Sequence, residues 1–178
     1  MADDIWVFGY GSLIWDPGFA FAERQVARLT GWHRSFCMLS VHYRGTPAAP
    51  GLVLALDRAE GASCHGLVFR VPQPDAAATT AYLRARELIS DAYIEARLPV
   101  TLADGRQVEA LTYVINRDHA QYAGLLTPAA QARTIATAAG VKGDNADYLT
   151  ATAAHLSALG IADAEMDHLV ALVTQLRA

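Results

Sequence analysis

Apolar runs separated by turn residues dominate the first half of the chain and predict strands. Residues 5–8 (IWVF) are β-branched or aromatic, which is typical of a buried strand. Further apolar runs predict short strands at residues 27–29, 35–41, 52–56 and 66–71. Gly31 and Trp32 separate the first two of these runs, so we expect a turn or a bulge there.

The middle of the chain combines a helix with a pair of strands. Asp75 is a good N-cap for a helix that runs to about residue 92. Its apolar positions recur at helical spacing, at Ala78, Ala81, Tyr82, Ala85, Leu88 and Ile89. Two apolar runs follow, at residues 93–102 and 107–115, and the Asp104-Gly105 pair between them predicts a hairpin.

The last third of the chain is rich in alanine and predicts three helices. Thr127 and Pro128 suit an N-cap and a first helical position, and Gly140 suits the end of that helix. The other two helices are predicted at residues 145–159 and 164–176. Strands followed by helices indicate one α+β domain over residues 1–178, with the last helices packed against the sheet.

Composition limits the binding partners and the cellular compartment that we expect for this chain. A formal net charge of −4 and a single lysine, Lys142, argue against nucleic-acid binding. No apolar stretch reaches membrane-spanning length, and the acidic start at Asp3 and Asp4 is unlike a signal peptide. Cys37 and Cys64 have no paired spacing, which favours reduced thiols in a cytoplasmic protein. Nothing in the sequence predicts the oligomeric state.

A Gly-Tyr-Gly-Ser segment at residues 9–12 follows the first predicted strand directly. Such an exposed turn offers bare N–H groups to a carboxylate, a phosphate or a developing oxyanion. A dinucleotide fingerprint would need a third glycine where this chain has Ile14, and no P-loop Lys follows. An anion-binding loop and a simple tight turn remain equally good interpretations.

Neither a metal site nor a protein nucleophile is indicated. The six histidines lack ligand spacing, and Ser12 lies outside a G-x-S-x-G elbow. Cys37 and Cys64 lie in or beside apolar strands, where inert thiols are expected.

Two glutamates are candidates for proton transfer. Glu87 lies late in the predicted helix, nearly opposite Ala85 on a helical wheel, so periodicity alone favours a solvated side chain. Glu87 turns inward only if the helix is covered on both sides or ends there. Glu95, in the following strand, is the nearest rival.

Three further residues could contact a substrate. Arg44, in a Gly/Pro-rich loop, could clamp a carboxylate or be an ordinary surface arginine. Tyr93 and Tyr113 fall in predicted strands, where core packing with a hydrogen-bonded hydroxyl is the usual role.

Several segments, taken together and in order, resemble the ChaC-type γ-glutamylcyclotransferases. These segments are FGYGSLIW at residues 8–15 with DPGF at 16–19, HYRGTP at 42–47 with PG at 50–51, YLRARE at 82–87, ALTYV at 110–114, YAG at 122–124 and NADYL at 145–149.

The resemblance implies a mixed β-barrel-like sheet with flanking helices, no cofactor and no metal. Members of the family cleave glutathione to 5-oxoproline and cysteinylglycine. By resemblance, Glu87 is the catalytic general base and acid. The implied substrate-binding residues are Gly9, Tyr10, Gly11, Ser12 and Leu13, which hold the γ-glutamyl group, with Arg44, Tyr93 and Tyr113 as further candidates.

The reaction suits these residues. The α-amine of the substrate attacks its own γ-carbonyl, so the protein needs no nucleophile and one carboxylate can move both protons. One segment departs from the family, which often has Gly-Gly-Tyr after the glutamate, whereas this chain has LISDAY at residues 88–93. Two alternatives therefore stay open: a cyclotransferase for another γ-glutamyl amine or dipeptide, and a non-catalytic binding module on the same fold.

Overall fold

The structure, a computed structural model, describes residues 3–178; Met1 and Ala2, which begin the acidic start, lie outside the described residues. The strands are β1 (Ile5–Gly9), β2 (Glu23–Ser40), β3 (Gly51–Val71), β4 (Tyr93–Leu102), β5 (Gln107–Ile115), β6 (Ala139–Gly140) and β7 (Gly143–Asp144). The helices are α1 (Gln73–Glu87), α2 (Pro128–Thr137), α3 (Asn145–Ala158) and α4 (Ala164–Leu176), and a 3-10 helix spans Ser12–Ile14.

Five strands form a closed barrel in the order β1-β3-β2-β4-β5. Strand β1 runs antiparallel to β3, with Phe8 opposite Val68, and parallel to β5, with Val7 opposite Leu111. The parallel pairing of β1 with β5 closes the ring, which leaves β1 no free edge. The predicted α+β class with a mixed, barrel-like sheet is confirmed.

Two of the barrel strands are longer than the sequence pattern predicts. The runs at 27–29 and 35–41 belong to one strand, β2, and the runs at 52–56 and 66–71 belong to β3. Gly31 and Gly61 have positive φ values of 87° and 76° inside these strands. Each glycine lets the strand bend without ending, so its signal was that of a bulge rather than a turn.

The β4–β5 hairpin is confirmed at the predicted residues. Nine antiparallel pairs run from Tyr93 opposite Ile115 to Thr101 opposite Gln107. Gly105 takes a φ of 89°, and its amide donates to the Leu102 carbonyl at 2.9 Å, which closes the turn.

Helix α1 begins earlier and ends earlier than predicted. Pro72 is the N-cap and Asp75 lies in the first turn, where its carboxylate interacts favourably with the positive end of the helix dipole. The helix ends at Glu87 rather than near residue 92.

The chain divides into two compact units, residues 1–34 with 55–119 and residues 35–54 with 120–178. The first unit has an apolar core formed by the barrel strands, including Phe8, Leu29, Leu56, Val68 and Val114. Whether the chain is one domain over residues 1–178 stays a prediction.

The second unit combines the three C-terminal helices with the adjoining ends of β2 and β3. The Phe36 ring on β2 meets the Tyr148 ring of α3 edge to face, with centroids 5.9 Å apart. The fully buried Asn145 amide donates to the Leu52 carbonyl at 2.8 Å and accepts from the Leu52 amide at 2.7 Å. The predicted packing of the last helices on the sheet is confirmed here.

The three predicted C-terminal helices are present, with one difference at an end. Thr127 caps α2 by accepting from the Ala130 amide, but the helix ends at Thr137, before Gly140. Gly140 instead belongs to the short β6–β7 pair, which sequence reasoning missed.

Two expectations about composition can be compared with the described residues. Cys37 and Cys64 are both buried and form no disulfide, as predicted. Among residues 3–178, no helix combines the length and the apolar character needed to cross a membrane.

Candidate active site

The loop after β1 is more buried than an exposed turn. Gly9, Gly11 and Leu13 are buried, and Ser12 begins the 3-10 helix. The Ile14 amide donates to the Gly11 carbonyl at 2.9 Å, which forms the helix. The first amides of a helix have no partner within it, and the structure gives those of Gly11 and Ser12 no backbone acceptor among the described residues.

Tertiary contacts hold this loop against the barrel of the first unit. The Tyr10 hydroxyl donates to the Tyr113 carbonyl at 2.8 Å. The Arg34 guanidinium donates to the carbonyls of Tyr10 and His65. Beneath the loop, a Cβ atom at Gly66 would lie 2.3 Å from the Gly9 carbonyl oxygen. The backbones of β1 and β3 therefore approach more closely here than any side chain allows.

Helix α1 turns Glu87 inward, contrary to the wheel drawn from its alanines. The predicted apolar positions, Ala78, Ala81, Tyr82, Ala85, Leu88 and Ile89, are all exposed. The buried positions are Thr79 and Leu83, and Glu87 follows them at the same four-residue spacing on one face. The predicted apolar face was wrong because burying three small alanines stabilises a helix less than burying one leucine, and the leucine is the residue that is fully buried.

Burial governs the protonation of Glu87. Desolvation raises the pKa of its carboxyl above the ordinary value, and the nearby Arg86 charge lowers it by a smaller amount. The Arg86 Nε atom lies 3.4 Å from Glu87 Oε1. A carboxyl with a raised pKa can exchange protons closer to neutral pH than an exposed glutamate can.

Arg86 also connects Glu87 to the loop. Its Nη2 atom donates to Ser12 Oγ at 3.1 Å, and its Nη1 atom donates to the Asp16 carbonyl at 2.6 Å and to the Tyr82 hydroxyl at 3.1 Å. One guanidinium thus joins the glutamate at the end of α1 to the first residue of the 3-10 helix and to the segment just after that helix. The loop and Glu87 meet in the first unit.

Glu95 is near this cluster but has a different environment. Arg84 holds its carboxylate with two hydrogen bonds of 2.8 Å, and the Tyr113 hydroxyl donates to it at 3.2 Å. Hydrogen bonding from Arg84 lowers the pKa of Glu95 despite partial burial. A carboxylate that is ionised and accepts three hydrogen bonds is a poor proton carrier.

Tyr113 interacts with both glutamates, with Glu95 by a hydrogen bond and with Glu87 through its charge. Burial, and then the charges of Glu95 and Glu87, raise the pKa of its phenol well above the ordinary value. Tyr113 therefore stays protonated and acts as a hydrogen-bond donor at neutral pH.

The remaining predicted substrate residues are placed as follows. Tyr93 begins β4 opposite Ile115 and is partly buried. Arg44 belongs to the second unit, where its Nη1 atom donates to the Asp144 carbonyl at 3.1 Å and its guanidinium lies over the Tyr148 ring.

Sequence reasoning missed Arg34, Arg84 and Arg86. Arg86 directly precedes Glu87, so its adjacency was a usable signal. Arg84 and Arg34 gave none, because their partners lie 11 and 24 or more positions away along the chain. Within residues 3–178, no group of three or more His, Cys, Asp or Glu residues could hold a metal ion.

Known proteins provide an independent comparison. A family model described as "ChaC-like protein" matches residues 5–177. The glutathione-specific gamma-glutamylcyclotransferase of Escherichia coli (strain K12) is 36% identical over 174 residues, covering 98% of this chain and 74% of that protein. The human glutathione-specific gamma-glutamylcyclotransferase 1 is 29% identical, covering 95% of this chain and 77% of its own.

A solved structure agrees with the sequence comparisons. The crystal structure of a gamma-glutamyl cyclotransferase specific to glutathione, from yeast, superposes with a TM-score of 0.88 at 25% identity. The match covers 98% of this chain and 97% of the yeast chain. The likeness therefore includes residues of both units.

Proposed function

Because the chain belongs to the ChaC-like protein family, we propose that it is a γ-glutamylcyclotransferase that cleaves glutathione to 5-oxoproline and cysteinylglycine. One observation carries the proposal. The largely buried Glu87 carboxyl and the loop that begins the 3-10 helix are joined by a single arginine, Arg86.

The reaction begins with a proton transfer to Glu87. The α-ammonium group of the γ-glutamyl moiety is protonated at neutral pH and must lose a proton before it can attack. The Glu87 carboxylate accepts this proton as a general base. The free amine then attacks the γ-carbonyl carbon of the same residue, and the new C–N bond closes a five-membered ring.

The second half of the reaction returns the proton. The tetrahedral intermediate expels the amine of cysteinylglycine as the γ-peptide bond breaks. Protonated Glu87 donates to this departing nitrogen as a general acid, which regenerates the carboxylate. The carboxylate then takes the second proton from the attacking nitrogen, which is cationic once the new C–N bond has formed, and passes it to the released amine, an ammonium at neutral pH. The raised pKa of Glu87 suits both steps, since neither proton transfer then has to cross a large pKa gap.

The loop amides would stabilise the negative oxygen that develops on the γ-carbonyl. The Gly11 and Ser12 N–H groups begin a helix and lack intrahelical partners. Donors fixed in place before the reaction need no reorganisation as charge develops. Because the nucleophile is part of the substrate, the remaining task of Gly9, Tyr10 and Leu13 is to hold the bent γ-glutamyl conformer.

Further parts of this proposal concern substrate contacts and context. Tyr113 is proposed to contact the substrate because it lies close enough to Glu95 and Glu87 for both charges to act on it; its single O–H donates to Glu95, which leaves its oxygen as an acceptor. Roles for Tyr93 and Arg44 stay sequence-based predictions. We propose one γ-glutamylcyclotransferase-like domain over residues 1–178, supported by a family match that spans both units. A cytoplasmic location is proposed because Cys37 and Cys64 are both reduced in the structure, with no disulfide between them.

The experiment is a product assay on the purified chain. Incubation with glutathione should yield 5-oxoproline and cysteinylglycine in equal amounts, measured by mass spectrometry. A parallel panel of γ-glutamyl amines and dipeptides tests whether residues 88–93 widen the specificity. Release of 5-oxoproline from another member of the panel, with none from glutathione, would move the assignment to that substrate class. Absence of product from every compound would favour the binding-module alternative.

A further inference from the structure

Arg34 is a buried cation directly behind the loop of the candidate active site. It lies on β2 with 5% of its surface exposed. Its two terminal nitrogens donate to the backbone carbonyls of Tyr10 and His65. A buried guanidinium is costly to desolvate, so its place behind a glycine-rich loop calls for a physical reason.

The contact with Tyr10 fixes the direction of the next amide. In a trans peptide the carbonyl oxygen and the following N–H point in opposite directions, and residues 3–178 contain no cis peptide bond. When Arg34 holds the Tyr10 carbonyl toward β2 and β3, the Gly11 N–H must point the other way. That amide has no backbone acceptor among the described residues.

We propose that Arg34 is a positioning residue that holds the Tyr10–Gly11 peptide with its N–H directed at the developing oxyanion. The inference rests on the proposed cyclotransferase reaction. Arg34 itself touches no reacting atom, and its effect passes through one peptide group. Its buried positive charge also adds favourable potential on the side of the loop where negative charge develops.

The guanidinium fork explains why this position needs arginine rather than lysine. Arginine presents its donors in a fixed plane and can bind two carbonyls at once in one orientation. A lysine ammonium keeps the charge but binds as a point, so it holds the two carbonyls less rigidly. Arg34→Lys and Arg34→Met therefore separate the role of the fork from the role of the charge.

The first experiment measures kcat and KM for 5-oxoproline release in both variants. Arg34→Met should lower kcat on the order of 100-fold, the usual effect of losing an oxyanion donor, with KM within about threefold. Arg34→Lys should fall between Arg34→Met and the unaltered chain. Arg117→Gln is the matched control, because Arg117 also donates to a backbone carbonyl, that of Arg58, and to Asp57, far along the chain from the loop. The control should keep kcat within about twofold.

A second experiment measures the orientation of the Tyr10–Gly11 peptide by NMR and does not depend on enzymatic activity. The carbonyl carbon of Tyr10 and the amide of Gly11, observed by NMR, should both shift in Arg34→Met, and the Gly11 amide should change its exchange rate with solvent. An unchanged Tyr10–Gly11 peptide would overturn the inference, as would a uniform rise in KM with kcat retained. If the unaltered chain releases no 5-oxoproline but Arg34→Met still shows the NMR changes, the proposed reaction is refuted. The positioning of the Tyr10–Gly11 peptide by Arg34 would then still stand.

Discussion

Glu87 and Glu95 lie eight residues apart on the same unit and are almost equally accessible, with 17% and 22% of their side chains exposed. Their carboxyl pKa values nevertheless shift in opposite directions. Glu95 accepts three hydrogen bonds, two from Arg84 and one from Tyr113, which stabilise its ionised form. Glu87 has one arginine at 3.4 Å, too little to offset desolvation. Desolvation of Glu87, and the larger number of hydrogen-bond donors to Glu95, together separate a proton carrier from a structural anion.

The largest effect is expected when the carboxylates of Glu87 and Glu95 are removed one at a time. Glu87→Gln should lower kcat for 5-oxoproline release by about 10²- to 10⁴-fold, the usual contribution of a general acid–base group. Glu95→Gln should reduce kcat only several-fold, because that residue acts by holding neighbours. Equal losses in the two variants would show that our assignment of roles is wrong.

A smaller effect tests how Arg86 balances the environment of Glu87. Arg86→Gln removes a charge that lowers the pKa of Glu87, so the acid limb of the kcat/KM profile should move to higher pH. We also expect kcat to fall about tenfold, since Ser12 and Asp16 lose their shared partner. Arg86→Lys keeps the charge and should leave the limb close to its original pH. A limb that stays in place in both variants would exclude Arg86 as a determinant of this pKa.

The ion pair of Glu95 should appear in stability rather than in catalysis. Its pKa is lowered in the folded chain, so the stabilisation is present above the ordinary glutamate pKa and is lost as pH falls through the lowered value. Glu95→Gln should therefore lower Tm by a few degrees at pH 7, with the difference shrinking below about pH 4. Calorimetry at several pH values checks this, and a constant difference across pH would contradict it.

The smallest expected effect is a change in Tm at Glu87, opposite in sign to the change expected for Glu95→Gln. The pKa of Glu87 is raised in the folded chain, so its ionisation destabilises the fold as pH rises above the ordinary value of 4.5. Glu87→Gln should therefore melt slightly above the unaltered chain at pH 8 and together with it at pH 4. A lower Tm for this variant at pH 8 would mean that the ionised carboxylate has favourable partners besides Arg86.

Local signals in the sequence were enough for some elements. The β4–β5 hairpin and the N-terminus of α2 depend on Asp104-Gly105 and Thr127-Pro128, which act within a few residues. Strands β2 and β3 depend on barrel pairing, so the two apolar runs within each of them were predicted as separate strands.

The candidate site was predictable in part for the same reason. The Gly-Tyr-Gly-Ser loop and Glu87 were recognised from their motifs, but the helical wheel directed Glu87 toward solvent. Its inward orientation follows the face of Leu83, whose complete burial is a tertiary effect that the periodicity of α1 did not show. Arg34 could not have been found, because its role depends on carbonyls contributed by the loop after β1 and by β3.

Gly66 limits how this enzyme can be altered in the laboratory. Because any Cβ there would collide with the Gly9 carbonyl, a change at residue 66 on β3 displaces a loop more than fifty positions earlier in the chain. Libraries built to change substrate choice should therefore keep Gly66 fixed together with residues 9–13. Residues 88–91 are exposed, so variation there can change the surroundings of Glu87 without disturbing the meeting of β1 and β3.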